Sequence, residues 1–232
     1  MSAILEGLVK AFWLLISFDP EVYGVMLLTL RVSGIAVAIG ALLGVPTGAT
    51  IALNEFAGKR FFISILNTLM GLPPVVVGLL VYLVLSSSGP LGPLQLLYTP
   101  SAMIVAQSIM TVPTVAGITV SAVGSVNRTI RDKALSLGAT RQQLTSTILK
   151  EARLGLLTAI IVAFGSAVSE VGAVMIVGGN IRWATRVLTT AIVLETELGE
   201  FSVAIALGII LLLLSFSVNC VLTQMQWKRS RD

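Results

Sequence analysis

Arg31 and Glu170 are charged side chains set deep inside long aliphatic runs, each about eight residues from the outer end of its run, the N-terminal end for Arg31 and the C-terminal end for Glu170. At about 1.5 Å per residue their depths agree. A lone charge at such depth in a bilayer costs about 2.5–3.5 kcal/mol on insertion scales, so each needs a partner, a cavity or the bundle interior. An Arg31–Glu170 pair is therefore expected, within one subunit or across a dimer. Softer polar groups lie elsewhere in the chain. Thr111 and Thr114 flank Pro113, which frees backbone groups, so they can offer donors along a path; interhelical packing is their alternative. Gly178-Gly179-Asn180 permits an abrupt turn, and Thr185 to Leu194 suits a short re-entrant helix that would place Asn180, Thr189 and Thr190 at a path or gate. Arg182 and Arg186 in the same segment suit contact with an acidic partner protein or anchoring at headgroups. With no histidine and Cys220 as the single cysteine, metal, haem, disulfide and His-based catalytic chemistry are not expected. No G-x-x-x-x-G-K-[ST] phosphate loop occurs, so no ATP site and no enzyme activity are expected in this chain.

The elements that must hold these groups are membrane helices. The 232 residues are 56% hydrophobic and 11% charged, with a mean hydropathy of +0.98. Twenty-six charged side chains cannot cover a soluble domain, which excludes a soluble enzyme, a secreted module and a nucleic-acid binder. Five runs have the roughly 20 apolar residues that about 30 Å of hydrocarbon requires, at about 23–52, 63–86, 100–123, 155–178 and 201–223. Gly71-Leu72-Pro73-Pro74 breaks the second. Ile4 to Phe18 is shorter and contains Glu6 and Lys10; it reads as an N-terminal interfacial helix, with a sixth, tilted crossing as the alternative. The fold class is thus an all-α membrane protein with five core transmembrane helices, a single domain over 1–232.

Eleven of the fifteen basic residues fall in the segments after spans one, three and five. Positive-inside logic makes that side cytoplasmic and puts the C-terminus there, in the cell (inner) membrane. The tail from Trp227 to Asp232 reads as an interfacial anchor with a basic end.

Residues 127–153 are too polar for lipid and too regular for a slack loop. Ile130, Ala134 and Leu137 share one stripe of a helix over about Thr129–Leu137, and Gly138 supplies the left-handed stop. Thr140-Arg141-Gln142-Gln143 fits a capping box, from which Leu144, Ile148 and Leu149 continue an apolar stripe toward Arg153. A short amphipathic helical hairpin on the cytoplasmic side is predicted.

Asp132-Lys133-Ala134-Leu135-Ser136-Leu137-Gly138-Ala139 resembles the E-A-A-x-x-x-G-A motif of permease subunits of bacterial and archaeal ABC importers, with Asp132 at the Glu position and Lys133 at the first Ala. Lys150-Glu151 stands where that family usually has Leu-Pro. Gly71 to Gly78, Ser169-Glu170-Val171-Gly172-Ala173, and Val177 to Ile181 with Thr185-Arg186-Val187-Leu188 are similar to the molybdate, tungstate and sulfate group, most of all to its tungstate-type members. The resemblance spans about residues 22–224. It implies a type I importer fold, a homodimer of permease copies, two cytoplasmic ATPase subunits using Mg-ATP, and an extracytoplasmic substrate-binding protein. It also implies an ATPase-coupling role for Asp132, Lys133, Ala134, Leu137, Gly138, Ala139 and Arg141, and an oxyanion cargo, tungstate before molybdate or sulfate. An ATP-independent channel or secondary transporter is the competing class, and it would have no use for a docking hairpin.

Overall fold

The computed structural model describes residues 3–231, and of residues 3, 225 and 227–231 the backbone alone. The expected anchor from Trp227 to Asp232 therefore lies outside the described side chains. Among the described residues the chain is helical without strands. The helices are α1 (Ala3–Ile16), α2 (Pro20–Leu53), α3 (Lys59–Met70), α4 (Pro74–Leu85), α5 (Pro100–Gly124), α6 (Arg128–Ser136), α7 (Arg141–Glu151), α8 (Arg153–Val168), α9 (Gly172–Gly178), α10 (Leu188–Glu197) and α11 (Phe201–Arg231).

Length and apolarity qualify α2, α5 and the Phe201–Gln224 part of α11 as crossings. The pairs α3 with α4 and α7 with α8 pass the same test as bent spans, so up to five crossings are available. Gly71 and Pro73 separate α3 from α4, because a proline ring fixes the preceding residue in extended backbone. The fourth predicted run, 155–178, is not continuous. It breaks at residues 169–171, where Glu170 turns its carboxylate onto the backbone of α9. The re-entrant helix expected over Thr185–Leu194 forms three residues later, as α10. At 14 residues α1 is about 21 Å long, shorter than the roughly 30 Å of hydrocarbon a perpendicular crossing spans.

Two compact units divide the chain. The first comprises Met1–Ala36, Pro73–Ser108 and Phe164–Cys220. Its core joins Ala11 of α1, Val22 and Val25 of α2, Leu188 and Ala191 of α10, and Ala206, Leu207 and Ile210 of α11. In the same unit α4 and α9 touch backbone to backbone: a Cβ on Gly78 would stand 2.7 Å from Ala173 Cα. Asp19 starts α2 by accepting the Glu21 and Val22 N–H groups, each at 3.0 Å.

The second unit comprises Val37–Leu72, Ile109–Ala163 and Val221–Asp232. Gly40, Gly44 and Gly48, four residues apart on α2, form a smooth seam against Thr111, Val112 and Ala116 of α5. Small residues at that spacing let two helix backbones close where lipid supplies no hydrophobic drive. A second cluster, Val123, Leu144, Ile148 and Ala152, fastens α7 to α5 and to the start of α8.

Candidate functional site

The first unit gathers the buried polar groups around α10. The Thr29 hydroxyl donates to Val25 O at 2.7 Å and accepts the Leu188 N–H at 3.0 Å, satisfying a helix-start donor that would otherwise be orphaned. Thr190 accepts the Val187 N–H at 3.1 Å, and Thr189 donates to Glu170 O at 2.9 Å. Asn180, at φ +50°, donates to Thr190 O at 3.3 Å. Thr185 is fully buried and ties Gly178 O to the Ile181 N–H at 2.6 and 3.0 Å. The predicted gate residues Asn180, Thr189 and Thr190 are thus brought together, held in one hydrogen-bonded frame.

Glu170 faces a crevice too tight to admit a water molecule, lined by Thr29, Ser33, Gln107, Ala167 and Thr189 among others. Its Oε1 accepts the Ala173 N–H at 2.9 Å. Gln107 Nε2 donates to Ala167 O at 2.8 Å, which turns its Oε1 inward; that atom and Glu170 Oε2 both lack a hydrogen-bond partner.

No ion pair joins Arg31 to Glu170 within the chain. Thr29, Val32 and Ser33 are the α2 residues on the void, whereas Arg31 is exposed and lines a different cavity with Glu21, Trp183 and Arg186. Successive helix positions rotate by about 100°, so agreement in depth did not bring agreement in facing direction. Arg182 forms a two-pronged pair with Glu21, with Nε to Oε1 at 2.8 Å, and Arg186 reaches the same carboxylate at 3.5 Å. Arg186 also donates to Asn180 Oδ1 at 3.3 Å. The Arg182 guanidinium lies 5.6 Å from the Trp183 ring centroid.

In the second unit Thr111 is buried and packs on Gly40, with 3.0 Å between its Cβ and the place a Gly40 Cβ would take. Thr114 donates to Met110 O in its own helix at 2.9 Å. These contacts give both hydroxyl residues a packing or intrahelical use.

The polar hairpin has the predicted construction. Asn127 caps α6 by accepting the Thr129 N–H at 2.9 Å. Gly138, at φ +78°, closes it with Gly138 N to Leu135 O and Ala139 N to Ala134 O, both 3.0 Å, a Schellman turn. Thr140 and Gln143 exchange bonds at 2.8 and 3.3 Å as a complete capping box. Leu144 and Ile148 are buried, and Ala134 packs on them. Leu137 does not join the stripe: it is 87% exposed, and Leu135 beside it is 50% exposed. Asp132, Lys133 and Arg141 are exposed as well, leaving a two-leucine knob ringed by charge.

Residues 40–228 match the family described as binding-protein-dependent transport system inner membrane component. The chain belongs to that family of permeases. This permease is 43% identical, over 97% of its own length and 99% of the other, to the tungstate uptake system permease protein of Peptoclostridium acidaminophilum. It is 46% identical to a probable anion ABC transporter permease protein of Haloferax volcanii, covering 83% of this chain and 85% of that one. Its fold matches a chain of a bacterial alginate ABC transporter, crystallised in complex with an alginate pentasaccharide-bound periplasmic protein, with a TM-score of 0.76 at 19% identity, covering 94% and 85% of the two chains. The type I importer permease fold expected from the motif is thereby present.

Two features of the permease escape sequence reasoning. Glu21 meets Arg182 across 161 residues, and its only local signal is an acid in the first turn of a membrane helix. The Thr29–Leu188 cap links equally distant segments and has no local signal.

Proposed function

We propose that this permease carries tungstate into the cytoplasm as the membrane subunit of an ATP-driven importer. The observation that carries the reading is the 43% identity, over nearly both full lengths, with a tungstate uptake permease. Two copies form a homodimeric pathway, with the hairpin of residues 127–153 and the C-terminus in the cytoplasm, as the basic-residue bias requires. An extracytoplasmic binding protein delivers the oxyanion, and two ATPase subunits holding Mg-ATP supply the energy.

Coupling runs through the hairpin. The exposed Leu135 and Leu137 offer apolar anchors that water disfavours, framed by Asp132, Lys133 and Arg141. The Schellman turn and capping box keep that knob rigid, so closure of the ATPase pair moves it as one body and biases the pathway between inward- and outward-facing states. Asn180, Thr189 and Thr190 serve at the gate through the frame they share, and Thr111 and Thr114 border the path.

The test is uptake by vesicles containing the permease, its ATPase and its binding protein, comparing tungstate, molybdate and sulfate with and without ATP. ATP-dependent uptake led by tungstate is expected. Uptake led by sulfate or molybdate would refute the cargo and keep the importer; ATP-indifferent uptake by the permease alone would refute both.

A further inference from the structure

Among the described residues Arg31 has no carboxylate partner, although it projects from a helix apolar enough to cross a bilayer. It stands eleven residues into α2, about 16 Å along the axis from Pro20. Glu21, Gly24, Leu28 and Arg31 follow at spacings of three, four and three, so they share one face. That face forms one wall of a cavity of about 280 Å³, and Trp183 and Arg186 contribute to the other side.

The charges around this cavity do not cancel. Glu21 serves both Arg182 and Arg186, and Asp19 accepts the N–H groups that start α2. Arg31 is left as the excess cation. An arginine cannot escape its cost by losing a proton, so an anion is what the cavity lacks. Guanidinium forks match paired oxygens of a tetrahedral oxyanion and gain less from a spherical halide.

We propose that this cavity is an oxyanion-accepting site of the permease, in which Arg31 and Arg186 hold a tetrahedral dianion against Trp183. The proposal rests on the reading that the cargo is an oxyanion. Glu21 gives the site its reversibility: an arriving anion must compete with that carboxylate for Arg186, so binding is transient, as passage requires. Gly24 provides an independent handle. A Cβ there would meet nothing within 4 Å, so a larger side chain enters the cavity without displacing the fold.

A phosphodiester headgroup carries the same tetrahedral oxygens as free tungstate, and the experiment separates them. The permease–ATPase complex, without binding protein and with Trp183 as the single tryptophan of the permease (Trp13→Phe, Trp227→Phe), is placed in dodecyl maltoside micelles, which carry no phosphate. Its permease fluorescence, taken as the difference from an otherwise identical Trp183→Phe complex, is titrated with sodium tungstate and, at equal ionic strength, sodium chloride. A saturable change with tungstate alone is expected, weakened at least tenfold by Arg31→Gln, less by Arg31→Lys, and abolished by Gly24→Leu. Phosphatidylcholine nanodiscs, which present a phosphodiester on a surface with no net charge, should give the same affinity.

No saturable response, or one untouched by Arg31→Gln and Gly24→Leu, overturns the site. A tungstate response seen in micelles but lost in phosphatidylcholine nanodiscs assigns the cavity to lipid phosphate and also overturns it. Should Arg31→Gln fail to assemble, Gly24→Leu carries the test. ATP-driven tungstate uptake without this binding would sink the site alone, whereas absent tungstate uptake would sink the cargo reading itself.

Discussion

Replacing Gly138 isolates the rigidity of the hairpin from its surface chemistry. Gly138 sits at φ +78° with nothing within 4 Å of where a Cβ would be, so the penalty for a side chain is a backbone penalty alone. For an ordinary L-residue the left-handed conformation costs about 1–2 kcal/mol, more when the side chain is β-branched. The remaining structure can absorb little of this. Helix α6 has nine residues and no buried side chain, and a helix that short is marginal unless its ends are fixed. Opening the turn therefore frees α6, while α7 stays docked through Leu144 and Ile148. A cost of about 1–2 kcal/mol shifts the closed turn by roughly 5- to 30-fold toward open forms.

Gly138→Val should insert and assemble normally, yet co-purify poorly with the ATPase and lose ATP-driven uptake by a comparable factor. Gly138→Asn, which tolerates the left-handed region, should keep most of both. Hydrogen exchange over residues 128–140 should rise in the valine variant only. Intact coupling in Gly138→Val, or equal losses in the valine and asparagine variants, would refute the proposed role of the rigid turn.

Gly44→Leu should lower thermal stability by about 1–3 kcal/mol, because a Cβ there already stands 2.8 Å from Val112 O and 2.9 Å from Val115 Cβ; an unchanged melting point would argue against the close seam. Glu170→Gln keeps an acceptor for Ala173 N–H and supplies a donor to the void shared with Gln107, so the melting point should rise by the equivalent of about 1–3 kcal/mol. A lower melting point would show that the carboxylate has a partner there. Thr29→Val should cost about 1–3 kcal/mol by leaving the Leu188 N–H unpaired in a buried site, read by thermal unfolding in detergent. A double-mutant cycle on Glu21 and Arg182 should return a coupling of about 1 kcal/mol or less, since the side chains are 31% and 60% exposed; several kcal/mol would mean the pair is shielded from water in the assembly.

What the sequence discloses follows the range of the interaction. The hairpin's turn and caps were legible, because a glycine stop, a T-x-x-Q cap and a 3.6-residue period all act within four positions of one another. Helix α2 was legible for the same reason, through a run of apolar residues bounded by Pro20 and Asn54. The fourth run misled because hydropathy counts residues and ignores where a side chain bonds. Glu170 spends its Oε1 on a backbone N–H three residues ahead and so breaks the helix that composition draws as continuous. Leu137 misled in the other direction: its spacing fits the buried stripe, yet it is at the C-terminal edge of α6, past the reach of the Leu144 and Ile148 cluster. The Glu21–Arg182 and Thr29–Leu188 contacts needed the folded chain, since neither residue type nor spacing couples positions about 160 residues apart.

The separation of Arg31 from Glu170 changes how the permease manages charge in an apolar setting. A direct pair would make the two side chains one neutral object whose removal costs only packing. Within one chain the two have different solutions. Glu170 is enclosed at a helix start, where backbone N–H groups and a tight wall of hydroxyl and amide side chains hold it, with no room for cargo in the void it faces. Arg31 stands at an open cavity with a spare positive charge. An anion carrier gains from that division: the carboxyl is locked into structure, out of reach of an oxyanion, while the Arg31 charge stays available. The expected consequence is asymmetric mutational behaviour, with neutralisation of Glu170 read in stability and neutralisation of Arg31 read in anion binding. Parallel melting and tungstate titrations of Glu170→Gln and Arg31→Gln test it. Equal effects of both variants on both readouts would return the two residues to a single coupled unit.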